Sequence, residues 1–222
     1  MRIAVVLAVV VLGAIVATGA GATTECAGVR TCIDVPGPWV VVPAQGEARF
    51  LLECPKRQGT VVGVDSLATS RDIHITVDGL LGGPVAPGRT TGSDILFRAV
   101  SGRHHVGLFE PRIGCTPPPS GGPQTTAFQL SPAGPALNIA ATTLPVTPGT
   151  VRQLTLGCVR GQSLIDSWVA TAFPNPVSPT LAAAVRIQRS VSDGQVAITI
   201  VTSGTLPRAA HALVQVGVRC AT

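Results

Sequence analysis

Six cysteines in two matching sets constrain this 222-residue chain more than any other feature. They are Cys26, Cys32, Cys54, Cys115, Cys158 and Cys220. An even number of cysteines in an exported protein is typical of a disulfide framework, although spacing alone leaves many pairings open. No C-x-x-C pair is present, so the close ligand spacing of structural zinc sites is missing.

An internal repeat selects one pairing. Shifted by 104 positions, Phe50, Leu52 and Cys54 align with Leu154, Leu156 and Cys158; shifted by 105, Leu108 and Cys115 align with Leu213 and Cys220. Each half therefore has one cysteine after an early apolar run and one in its last run. This predicts the disulfides Cys54–Cys115 and Cys158–Cys220, and leaves Cys26–Cys32 as a small loop. The alternative is a chance similarity between two halves rich in Val, Thr and Gly.

The N-terminus has the pattern of a secretory signal peptide. Met1-Arg2 is followed by an apolar run over 3–17 and by Ala20-Gly21-Ala22. A basic start, an apolar core and an A-x-A ending predict a signal peptide at 1–22, with cleavage before Thr23. An uncleaved membrane anchor is the alternative, and no later segment is long and apolar enough to span a bilayer. The protein is predicted to be secreted or held at the cell surface.

Short runs rich in β-branched residues predict an all-β fold. In 73–77, apolar residues alternate with polar ones, which is the period of a strand with one buried face. Turn-forming residues such as Ser192-Asp193-Gly194 separate the runs. The predicted strands are 39–42, 48–53, 60–64, 73–77, 95–100, 106–109, 151–156, 163–170, 184–188, 195–201 and 212–218. This spacing predicts two tandem antiparallel β-sandwiches, each with one internal disulfide, a plan that resembles secreted immunoglobulin-like domains.

A Pro/Gly-rich segment marks the boundary between the two halves. Pro117 to Pro123 contains four prolines and two adjacent glycines, a composition typical of a semi-rigid spacer. We therefore predict domain 1 at 23–115, a linker at 116–124 and domain 2 at 125–222. A first strand of domain 2 is expected around Phe128, and the best helix candidate is the short run 181–184.

The positive charge lies in the second half. Residues 116–222 carry six arginines against Asp166 and Asp193. A basic surface attracts polyanions, so a polyanion or cell-wall polymer is a candidate ligand for Arg152, Arg186, Arg189 and Arg219. These arginines are scattered along the chain, and no basic run is interleaved with aromatic residues, so nucleic acid is not expected as a partner.

No motif in the chain carries recognisable catalytic chemistry. A G-x-S-x-G elbow is absent, and the four histidines, His74, His104, His105 and His211, have no spacing typical of a metal site. The Asp65-Ser66 and Asp166-Ser167 pairs recur in the two halves, either as turn-stabilising residues or as twin binding sites. We expect no catalytic residue, metal or cofactor.

These observations predict an exported, non-catalytic protein with a structural, adhesive or interaction role. Its expected partner is an envelope polymer or another extracellular protein. Two other functions remain open: a polyanion- or cell-wall-binding module that uses the basic second half, and a secreted hydrolase with a non-standard site. A fold alone does not choose between them.

Overall fold

A computed structural model describes Cys26 and the ranges 32–55, 59–78, 83–86, 89–116 and 137–221. The predicted signal peptide at 1–22, most of the linker at 116–124 and the strand expected around Phe128 lie outside the described residues.

The described residues form fifteen strands, one helical turn and one short 3-10 turn. In the first half the strands are β1 (Ile33–Pro36), β2 (Trp39–Val42), β3 (Glu47–Glu53), β4 (Thr60–Ala68), β5 (Ile73–Asp78), β6 (Gly83–Ala86), β7 (Arg89–Thr91), β8 (Asp94–Ser101) and β9 (Gly107–Thr116). In the second half they are β10 (Leu137–Pro145), β11 (Val151–Gly157), β12 (Ser163–Phe173), β13 (Val185–Ser192), β14 (Gln195–Thr202) and β15 (Leu213–Ala221). The helical turn α1 covers Pro179–Ala182, and the 3-10 turn covers Arg208–Ala210. The predicted all-β class is confirmed.

One antiparallel sheet runs through both halves. In the first half, β9 pairs with β4 along one edge and with β1 and β2 along the other. In the second half, β15 pairs with β10 and β12. A short ladder between β2 and β12, with Val40 opposite Ala172 and Trp39 opposite Phe173, joins these two parts into one sheet. The two halves are therefore hydrogen-bonded to each other.

Two smaller three-stranded sheets pack on this long sheet. In the first, β8 lies between β3 and β5; in the second, β14 lies between β11 and β13. Side chains of the first small sheet share a buried core with β2 and β9, and those of the second share one with β15. Strands β6 and β7 form a separate hairpin.

Local sequence accounts for the turns that link these strands. Asp193 and Gly194 have φ of 50° and 72°, the left-handed values that a two-residue type I′ hairpin requires between β13 and β14. Ser178 caps α1 by accepting a hydrogen bond from the Leu181 amide, and Pro179 stands at its first position. The helical turn thus begins two residues before the predicted run 181–184.

The three predicted disulfides are present. Cys54–Cys115 and Cys158–Cys220 each join residues within one half, across sequence separations of 61 and 62, and Cys26–Cys32 closes the small loop. Val61 lies opposite Cys115, and Leu164 lies opposite Cys220. A β-bulge directly follows each of these two residues. Three disulfides fit an oxidising environment outside the cytosol.

Strand β9 is longer than its predicted range, 106–109, because a proline inside it is tolerated. Pro111 lies beside the gap between β1 and β2, where the Gly37 amide donates to the Pro111 carbonyl at 2.7 Å. The missing N–H of Pro111 faces the same gap, so no ladder hydrogen bond is lost. A Cβ on Gly37 would lie 2.7 Å from Pro111 Cγ, so the crossing requires glycine at 37.

Candidate functional site

The central positions of β3 and β8 in the first small sheet are buried on both faces, whereas β5 at its edge exposes His74 and Thr76. Phe50 and Phe97 point into the core shared with β2 and β9, whereas Leu51 and Leu96 point the other way and contact Trp168 of the second half. Leu51 is apolar although its neighbours on the same face of β3, Arg49 and Glu53, are charged, and its contact with Trp168 is the physical reason. The part of this outer face around Leu51 and Leu96 is therefore the interface between the halves.

A single glutamine holds the edge of β3 at this interface. The Gln215 carboxamide accepts from the Leu51 amide at 2.7 Å and donates to the Leu51 carbonyl at 2.9 Å. Its oxygen also accepts from Trp168 Nε1 at 3.3 Å. Gln215 is 3 % exposed, so these bonds replace those that water would make. The side chain thus occupies the position of an added strand.

An ionic network crosses the same interface. Arg49 on β3 contacts Asp166 on β12 and Glu47 on its own strand, and Arg98 contacts Glu47 at 2.6 Å. Burial alone raises the pKa of Asp166. The hydrogen bonds from Arg49 and the Ser167 amide, with the charges of Arg49 and Arg219, outweigh that effect and hold the pKa below its usual 3.8. The hydrogen bond from Arg98 likewise lowers the pKa of Glu47 below 4.5.

Acid is expected to weaken this interface. A carboxylate whose pKa is lower in the folded state adds stability above its unfolded-state pKa and loses it as pH falls through the folded value. Asp166→Asn should therefore be less stable than the wild type at pH 7, with the difference shrinking below about pH 4. Urea denaturation of both proteins between pH 7 and pH 2.5 measures this. A difference that stays constant across that range would contradict the assignment.

The outer face of the second small sheet is exposed on all three strands, unlike that of the first, where Trp168 covers Leu51 and Leu96. Twelve positions of β11, β14 and β13 share this face, and they comprise Val151, Gln153, Thr155, Gly157, Gln195, Ala197, Thr199, Val201, Arg186, Gln188, Ser190 and Ser192. Their alternates Val196, Ile198 and Ile200 are buried. Eight of the twelve are Gln, Thr, Ser or Gly and a single one is charged. The surface is thus broad, polar and nearly neutral.

Shallow hollows lie at two places in the described part of the chain. One, of about 420 Å³, lies beside α1 and is lined by Thr180, Ala183, Ala184, Arg186, Val201, Ser203 and Thr205. The other, of about 380 Å³, lies between the halves and is lined by Pro38, Phe50, Leu51, Leu52, Glu53, Ala141, Thr143, Leu213 and Gln215. Neither lining combines a histidine with a nucleophile and an acid, as nucleophilic hydrolysis requires.

The four arginines predicted to bind polyanions lie in different settings. Arg186 is exposed on the outer face, and Arg152 on β11 reaches the Pro145 carbonyl at 3.4 Å. Arg189 donates to the Ser167 carbonyl at 2.7 Å, and Arg219 stands opposite Asp166. The structure places Arg152, Arg186 and Arg189 on the second small sheet and Arg219 on β15. Arg189 and Arg219 are turned to β12, so the four do not form one patch.

The remaining polar candidates are dispersed. His74, His104, His105 and His211 are all exposed, His74 on β5 and the others in loops. Asp65 and Asp166 each accept a hydrogen bond from the amide of the following serine at 2.7 Å, and they lie on β4 and β12, which do not pair. Within the described ranges, no group of three or more His, Cys, Asp or Glu could hold a metal ion.

Sequence reasoning missed Gln215 and the outer face of the second small sheet. A signal for Gln215 exists, because it is the one polar residue inside the apolar run 213–218. The exposed face has a weaker signal: its outward positions carry Gln, Thr and Ser where charged residues are usual at a sheet surface.

No helix among the described residues is long and apolar enough to cross a membrane. No protein family matches the sequence, and no curated protein is significantly similar to it.

Proposed function

We propose that this is an exported, non-catalytic interaction protein with a structural or adhesive role in the cell envelope or outside the cell. The exposed, nearly neutral outer face of the second small sheet carries the proposal. A surface of twelve aligned positions with one charge offers a partner many hydrogen bonds at little electrostatic cost. Its expected partner is an envelope polymer or another extracellular protein.

The proposal treats the two halves as immunoglobulin-like copies of one unit, each with its own disulfide. Two features support this interpretation. The later cysteine of each disulfide lies in the last strand of its half, β9 or β15. In both halves a β-bulge follows the residue opposite that cysteine. Immunoglobulin-like plans leave loops and sheet faces available for binding while the disulfide holds the core.

The copies would then have diverged in what covers their small sheets. Leu51 and Leu96 on the first small sheet are covered by Trp168, whereas Thr155 and Ala197 occupy the corresponding cross-strand pair of the second and are exposed. One small sheet thus serves the internal interface and the other faces outward. This division supports a two-unit body that offers the outer face of the second small sheet to a partner.

Site-specific photo-crosslinking in the native cells tests the proposal. A photoreactive residue replaces Gln188 on the outer face, and a matched variant carries it at His74, an exposed position on a strand of the first half. We expect a discrete crosslinked product from position 188 in the envelope or extracellular fraction, and much less from position 74.

Two outcomes would contradict this function. Equal or absent crosslinking at both positions in correctly exported protein would remove the outer face as the binding surface. Stoichiometric labelling by a fluorophosphonate probe would instead support the secreted hydrolase.

A polyanion-binding module is the second candidate, favoured by the exposed Arg186 beside the hydroxyls of Thr180, Ser203 and Thr205. Charge pairing with a polyanion weakens as salt screens it. Retention on heparin that falls steeply with salt and is lost in Arg186→Gln would support this function in place of a neutral partner.

A further inference from the structure

The proposed interaction has a specific anchor, the open edge of β11. Among the described strands β11 pairs only with β14, so one edge of β11 carries backbone groups without a partner in the described part of the chain. The Thr202 amide donates to the Thr150 carbonyl at 3.0 Å, which sets the phase of the ladder. In an antiparallel ladder, the backbone N–H and C=O groups of successive residues point alternately toward the paired strand and away from it. Those of Val151, Gln153 and Thr155 therefore point away from β14.

The first half shows how the corresponding edge is satisfied. The Ser101 amide donates to the Gly46 carbonyl at 2.9 Å. By the same alternation, the backbone N–H and C=O of Leu51 on β3 point away from β8. Its N–H and C=O are bound by the Gln215 carboxamide, which supplies one donor and one acceptor. Thr155 stands at the matching position of β11, and among the described residues no side chain binds its backbone in this way.

The opposite edge of this sheet is less accessible. On β13 the Ser203 amide donates to the Ala184 carbonyl at 2.8 Å, so Ile187, Arg189 and Val191 point their backbone groups outward. The Arg189 side chain crosses from this strand to the Ser167 carbonyl of β12. An added strand at β13 would have to displace that contact, whereas the side-chain bridge from β11 to β10, between Arg152 and the Pro145 carbonyl, is longer at 3.4 Å and lies near the end of the strand.

The side chains around β11 define the chemistry of an added strand. On the inner face, Leu154 and Leu156 are only partly buried against the core, so an apolar side chain next to them would gain burial. On the outer face, Val151 is 64 % exposed and is followed by Gln153 and Thr155. The exposed Arg152 lies at one end of β11. Of the two acids in the second half, Asp166 contacts Arg49, and Asp193 lies in the β13–β14 turn, toward the Gly157 end of β11.

We propose that the β11 edge binds an extended peptide segment of a partner protein by strand addition, with apolar and hydroxyl side chains alternating and a carboxylate near Arg152. Main-chain hydrogen bonds supply affinity in this mode, and alternate side chains supply specificity. The inference rests on the proposed interaction function and names its partner as a peptide strand.

Synthetic peptides test the inference on the exported protein. The probe is an acetylated and amidated octapeptide of alternating valine and threonine with a glutamate at each end, and its control has lysine in place of both glutamates. We expect saturable binding of the glutamate peptide with a Kd below about 1 mM, and at least about threefold weaker binding of the lysine peptide at low salt. Amide chemical-shift changes should centre on Val151, Gln153 and Thr155.

Proline variants locate the site. Gln153→Pro removes an outward N–H that makes no ladder bond, so the fold should persist while peptide affinity falls about tenfold or more. Val191→Pro makes the same change at the β13 edge and should alter affinity less than about twofold. Thr155→Pro repeats the test at β11 if Gln153→Pro does not fold.

Each contrary result overturns the inference. These results are no saturable binding at 1 mM peptide, equal affinity of Gln153→Pro and the wild type, or shift changes centred on β13 or β10. If the crosslink from position 188 forms but the peptide does not bind, the strand-addition inference is wrong and the proposed interaction function is still supported.

Discussion

Replacing both Cys158 and Cys220 by alanine is expected to lower the free energy of unfolding by about 4 kcal/mol. This disulfide closes a loop of 62 residues, and in the chain-entropy model the loss of such a constraint stabilises the unfolded state by about that amount. Cys220 is 3 % exposed within the core of the second half, so the substitution also removes buried contacts.

The size of the loop provides the control. Cys26–Cys32 has a sequence separation of 6, and its removal in the Cys26→Ala, Cys32→Ala variant should cost about 2 kcal/mol in the same model. Urea denaturation of the three proteins, followed by circular dichroism, gives the comparison. Equal losses in the two variants, or a loss below about 1 kcal/mol for the long loop, would contradict the constraint argument.

The effect of that disulfide should extend to the first half. The β2–β12 ladder, the Leu51–Trp168 contact and the Arg49–Asp166 ion pair all cross between the halves. Loss of the second half would leave Leu51, Leu96 and the edge of β3 without their cover. We therefore expect one cooperative transition in both the wild type and the variant.

Much of this fold was predictable because its strands alternate locally. Strand β2 matches its predicted range, and β14 extends its range by one residue, since both have clear patterns and turn residues beside them. The disulfide pairing followed from the register of the two halves. These signals lie within short segments and need no knowledge of distant contacts.

The missed elements depend on distant contacts or weak patterns. Strand β10 was not predicted because Ala140, Ala141, Thr142 and Thr143 give no clear alternation, and β15 holds the segment in its ladder. Strand β1 is too short to show a period and is defined by pairing with β9. The tertiary partner decides such segments when propensity is weak.

The candidate site was less predictable than the fold. The four arginines were chosen from net charge, which does not say that Arg189 and Arg219 would contact β12. The exposed outer face could be identified only after the first small sheet was found to be covered by the second half. Which of two similar sheets stays exposed depends on Trp168 and Gln215, both more than a hundred residues along the chain from Leu51, which they contact.

Adding a single methyl group at Gly217 is expected to disrupt the interface between the halves. Gly217 lies opposite Trp168 in the β12–β15 ladder, and a Cβ there would stand 2.0 Å from Trp168 Cζ2 and 2.2 Å from Cε2. The ring has little freedom to move, because it packs on Leu51 and Leu96 and its Nε1 donates to Gln215. Gly217→Ala should therefore lower the free energy of unfolding by about 3 kcal/mol, the upper range for overpacking.

A double-mutant cycle separates this clash from a general effect of replacing glycine. Trp168→Ala alone should cost about 3–5 kcal/mol through the cavity it leaves. In the Trp168→Ala background, Gly217→Ala should cost far less, giving a coupling energy of about 2 kcal/mol. Gly204→Ala, where nothing lies within 4 Å of the added Cβ, should be nearly neutral. Additive effects at positions 168 and 217 would mean that the Trp168 ring does not occupy the space over Gly217, and the cover on Leu51 would then need another explanation.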